Sequence, residues 1–112
     1  MNTPEQRRAP RKRPDARITV TDAITGQLLG HLGNLSSNGM LLIGQRVPRN
    51  DAIYQVNLPL HRHDGSVSTI EIGIQEQWHE SAATPGQTWA GYRIIAISNA
   101  EAMQLDHWLQ QA

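Results

Sequence analysis

STIEIGIQEQW, residues 68–78, alternates more cleanly than any other part of this chain. Successive side chains of an extended strand point to opposite sides, so Ile70, Ile72 and Ile74 share one face, with Trp78 on the same parity. A period of two marks a half-buried β-strand and excludes an amphipathic helix. Just upstream, IYQVNLPL (53–60) repeats the pattern, with Tyr54, Val56, Leu58 and Leu60 on one face. The Asp64–Gly65 pair between these two runs is a hairpin signal.

Further out the same signal weakens but persists. RITVT (17–21) places Ile18 and Val20 together, LLGHL (28–32) is a second strand, MLLIG (40–44) a short buried one, and TWAGYRIIAI (88–97) the last. The segments between them (Gly26, 34–39, 47–51 and 80–87) are rich in turn formers. About six short strands at hairpin spacing favour an antiparallel sandwich or barrel over a parallel sheet. The end of the chain differs. Ser98 and Glu101 form a capping box, and Ala102, Leu105, Trp108, Leu109 and Ala112 then fall on one side of a helix. That helix is expected to pack on the barrel or close one end.

A length of 112 residues suits one domain, and 38% hydrophobic residues can form a modest core without disulfides or metals. There is no cysteine, hence no disulfide framework and no cysteine-based zinc site. No signal-peptide core and no long apolar run is visible, so a soluble cytoplasmic protein without membrane insertion is expected. No nucleophile elbow, HExxH or P-loop pattern appears, and no paired carboxylates at acid–base spacing, so no enzyme activity is expected. His61 and His63 lead into the Asp–Gly turn and read as surface hairpin residues.

The charge is uneven. Net charge is zero, yet residues 1–17 hold Arg7, Arg8, Arg11, Lys12, Arg13 and Arg17 against Glu5 and Asp15. Residues 18–112 carry four arginines against eight carboxylates. Five of the seven residues in RRAPRKR (7–13) are basic. Pro4, Pro10 and Pro14 make residues 1–15 an irregular, flexible basic arm ahead of a folded unit at 16–112. Arginine offers bidentate donors to phosphate and a planar face that stacks on bases. DNA or RNA binding is not expected, because Tyr54, Trp78 and Trp89 are scattered and no basic-aromatic strand face appears.

Arg7-x-x-x-Arg11, followed by Asn34-x-Ser36-x-x-Gly39 and then an apolar strand, resembles the PilZ domain family. The likeness runs from about residue 5 to 110: RRAPR at the first strand, NLSSNGMLLI across the second motif, and GYRII before a capped helix. The resemblance implies a mainly β fold, a six-stranded antiparallel β-barrel of the split-barrel type with a C-terminal α-helix. It also implies a receptor for cyclic di-GMP that needs no cofactor and relays to a downstream effector protein. Carried over by motif position, Arg7 and Arg11 contact guanine faces and phosphates, with Arg8 in support. Asn34 and Ser36 hydrogen-bond base edges and phosphate, and Gly39 allows φ > 0 or a close approach of the ligand. Arg13 and Arg17 form an alternative R-x-x-x-R register. The competing expectation is a PilZ-fold adaptor that binds no nucleotide and acts through protein contacts.

Overall fold

The computed structural model describes residues 10–14 and 17–111. Six strands and one helix follow one another: β1 (Thr19–Asp22), β2 (Leu28–Leu35), β3 (Gly39–Gly44), β4 (Ile53–His61), β5 (Val67–Ser81), β6 (Thr88–Ala96) and α1 (Asn99–Gln110). Every pairing is antiparallel, and the order β1-β2-β3-β6-β5-β4 closes on itself because β1 also pairs with β4. Closure removes the unpaired edges that would otherwise invite association. The fold is thus a six-stranded antiparallel barrel with a C-terminal helix, as expected.

Turn chemistry explains the hairpins. Asp22 Oδ1 accepts from the N–H groups of Ile24 and Thr25, and Gly26 takes a φ of 78°. Asp64 Oδ1 accepts from Ser66, and Gly65 takes a φ of 88°, which builds the expected Asp–Gly turn. Pro59 sits within β4, where it cannot donate to a neighbour. β1 meets β4 only at Asn57 and Val56, so Pro59 lies beyond that contact.

Alternation fills the barrel. Val20, Leu32, Leu42, Val56, Leu58, Leu60, Ile70, Ile72 and Ile74 are all buried. The expected inward face breaks at one place. Glu76 continues the buried parity, but the register then slips between Glu76 and Trp78. This β-bulge turns Trp78 outward, leaving it 46% exposed, contrary to the face read from alternation. β5 also runs on to Ser81, into residues read as a loop. β2 likewise extends through Asn34 and Leu35, which were read as part of a turn, after a register shift beside Gly33.

The helix closes the end of the barrel where β4 stops and β5 begins. Ser98 Oγ accepts from Glu101 N–H, and Glu101 returns a contact to the Ser98 N–H. The second Glu101 oxygen accepts from the Glu71 N–H of β5 at 2.8 Å. Leu105 and Trp108 are buried, and the Trp108 indole donates to the His61 carbonyl at 2.9 Å. Ala112, expected on the same helical face, lies outside the described residues.

Candidate functional site

Residues 10–14 lie alongside β2. The Lys12 N–H donates to Leu35 O at 2.8 Å and the Leu35 N–H returns to Lys12 O at 2.9 Å. In an extended segment adjacent side chains diverge, and they do so here. Arg11 faces solvent, and its Nη1 donates to Asn34 Oδ1 at 2.7 Å. Lys12 turns the other way, and its Nζ donates to the carbonyls of Trp108 and Gln111 at 2.8 and 3.0 Å. The same ammonium sits 4.2 Å from the centroid of a Trp108 ring. A cation at a helix C-terminus meets carbonyls that have no intrahelical partner. Nothing in the sequence pattern separated Lys12 from its basic neighbours.

The turn after β2 is built by Ser36. This side chain is fully buried; its Oγ accepts from the Gly39 N–H at 3.2 Å and lies 2.9 Å from Asn38 Oδ1, to which it donates. The Asn38 carbonyl accepts from the Ile94 N–H at 2.8 Å, tying the turn to β6. The Ser36 hydroxyl therefore points into the turn. Gly39 lies in β3 opposite Arg93, and the positive φ allowed for it is not used. Its need for glycine is steric: a Cβ there would stand 2.7 Å from Tyr92 O and 3.6 Å from Arg11 Nη2. Arg7 and Arg8 lie outside the described residues. In the alternative register, Arg17 borders a groove with His31 rather than meeting Asn34.

Three side chains on the outer surface, Trp78, Trp89 and Arg93, were missed. Trp78, Gly91, Leu41 and Asn34 stand in one register row across β5, β6, β3 and β2. At about 4.8 Å per strand the row spans roughly 14 Å. The Trp78 indole lies against Gly91, where a Cβ would clash with the indole Nε1 and Cε2. Leu41 and Ile43 lie back over Gly33, and Trp89 is 40% exposed on the same surface of β6. Arg93 projects outward opposite Gly39. The result is an aromatic and aliphatic shelf bordered by Arg11, Asn34 and Arg93. Only the β5 bulge brings Trp78 to it.

Two residues before Trp78, on the inner side of β5, Glu76 is buried. Its Oε1 accepts from the Asp51 N–H at 2.8 Å, and its Oε2 pairs with His79 Nδ1 at 2.7 Å. Burial pushes this carboxyl up, but the His79 contact and the Asp51 N–H outweigh it and hold it below the ordinary range. Asp51 itself carries a φ of 60°, so Glu76 pins a left-handed residue. Burial, then Tyr54 and Glu76, push the Tyr92 phenol well above its usual value. Among the described residues no three His, Asp or Glu side chains gather as metal ligands. α1 is neither long nor apolar enough to cross a membrane.

No family model and no curated protein matches the sequence. Solved structures do match. One is the Bacillus subtilis Inhibitor of motility (MotI/DgrA), with a TM-score of 0.74 at 12% identity over 92% of this chain. The match covers 48% of that protein, so the present chain spans about half its length. The likeness is one of fold alone.

Proposed function

We propose that this chain is a PilZ-type receptor for cyclic di-GMP, binding the dinucleotide between the arginine segment and the Asn34–Gly39 turn. The observation that carries this reading is the 2.7 Å contact between Arg11 and Asn34, which joins two motifs 23 residues apart. A guanidinium held by an amide oxygen keeps further N–H donors for phosphate and a flat face for guanine. The Trp78 shelf beside it supplies a stacking surface, worth about 1–3 kcal/mol per base in other nucleotide sites. Arg7, Arg8 and Arg93 add charge-assisted contacts, and Ser36 and Gly39 hold the turn in shape. A motility inhibitor among the proteins of this fold is in keeping with a regulatory output.

The signal passes through Lys12. Arg11 faces the ligand while Lys12 holds the end of α1, so movement of residues 10–13 alters the grip on the helix. A downstream effector protein reads that change.

Calorimetry tests the assignment. The wild-type chain is expected to bind cyclic di-GMP and not GMP, and Arg11→Ala to abolish binding while retaining the wild-type circular dichroism spectrum. Unchanged affinity in Arg11→Ala refutes the site. Absence of any thermal shift with cyclic di-GMP favours the adaptor instead, a reading to which the inward-turned Ser36 hydroxyl lends some support.

A further inference from the structure

Two adjoining grooves lie at the other end of β2 and β3 from Asn34. Gly44 is five residues along β3 from Gly39, roughly 17 Å at about 3.3 Å per residue. One groove, about 570 Å³, is bordered by Arg17, Leu28, His31, Gln45 and Gln87. The other, about 370 Å³, is bordered by Val47, Arg49, Ile53 and Tyr54. Arg46 lines both. Its Nη1 donates to Gln27 Oε1 at 3.0 Å and its guanidinium carbon stands 5.8 Å from the Tyr54 ring centroid, which holds it between the two.

Three properties separate this end from an ordinary polar surface. Leu28, Val47 and Ile53 are 57%, 63% and 64% exposed, and they border the grooves that meet at Arg46. Single apolar residues are normal on a surface, but three that border adjoining grooves with a polar rim fit a contact site. No carboxylate lines either groove among the described residues, although residues 18–112 carry twice as many carboxylates as arginines. Burial, then Arg17, lower the His31 pKa, so near neutral pH the arginines supply the positive charge.

We infer that this end of the barrel docks an acidic segment of a partner protein that also carries aliphatic side chains. Arg17, Arg46 and Arg49 pair its carboxylates bidentately. Leu28, Val47 and Ile53 cover its aliphatic groups, and the Gln45 and Gln87 amides meet its backbone. An anionic bilayer fits less well. Such surfaces are read by dense, protruding Lys/Arg clusters, whereas these arginines border concave grooves and the chain's one lysine is Lys12. The inference does not depend on the dinucleotide reading.

Selection of a random displayed peptide library on the 112-residue chain tests it. Enriched peptides are expected to combine Asp or Glu with aliphatic residues. Fluorescence anisotropy of one such peptide is expected to show at least ~tenfold weaker binding to Arg46→Glu/Arg49→Glu and to Val47→Asp. All three side chains are exposed, so the variants are expected to fold, and a circular dichroism melt checks this. Arg11→Ala is expected to bind the peptide as the wild type does. Enrichment without acidic residues, affinity indifferent to both groove variants, or loss in Arg11→Ala overturns the proposal. So does a library that enriches nothing while phosphatidylserine vesicles bind the wild type and not the groove variants.

Discussion

Arg11 and Lys12 are chain neighbours with opposite assignments, because an extended backbone sends them to opposite sides. One reaches Asn34, the other the last carbonyls of α1. Gly91 works by being absent of side chain. Gly91→Ala is expected to lift the Trp78 indole, seen as a shift in tryptophan emission, and to weaken cyclic di-GMP binding about tenfold, in line with the loss of one stacked base. Glu76 gives a pH prediction. Its folded pKa is depressed, so its contribution to stability is present above the unfolded value of about 4.3 and is lost as pH falls through the lower folded value. Glu76→Gln is therefore expected to lower Tm near pH 7. Thermal melts of the two proteins are expected to converge as the pH falls through that folded value.

At the scale of elements, α1 is held at both ends by different means. The capping box serves its start and Lys12 its finish. Ser98→Ala is expected to cost about 1 kcal/mol in urea unfolding. Lys12→Met, which removes two hydrogen bonds and a ring contact, is expected to cost about 1–2 kcal/mol and to raise hydrogen exchange at residues 106–111. The cap was readable from four residues, because a capping box is local. The Lys12 contact was not, since it joins residues 96 and 99 positions apart. The β5 bulge behaves likewise. Alternation assigned Ile70, Ile72 and Ile74 correctly, but a slip of one residue reverses every later side chain.

On the scale of the molecule, a closed barrel needs its end covered, and Leu105 with Trp108 does this. Trp108→Ala is expected to cost about 3–5 kcal/mol and to expose the barrel end to a hydrophobic dye, measurable by urea unfolding and dye fluorescence. The candidate dinucleotide site and the basic, apolar grooves occupy opposite ends of β2 and β3. The two proposed surfaces are thus separate, and each can be tested without disturbing the other.

The sequence by itself determined the strands, the hairpin turns and the capped helix, because alternation, turn residues and caps act over a few neighbouring residues. It also carried the two motifs that suggested a ligand. The tertiary structure alone decided that Arg11 meets Asn34, that Ser36 turns inward, that Trp78 joins the outer shelf and that Lys12 grips the helix. Each depends on strand register and barrel closure, which bring together residues far apart in the chain and leave no mark in local pattern.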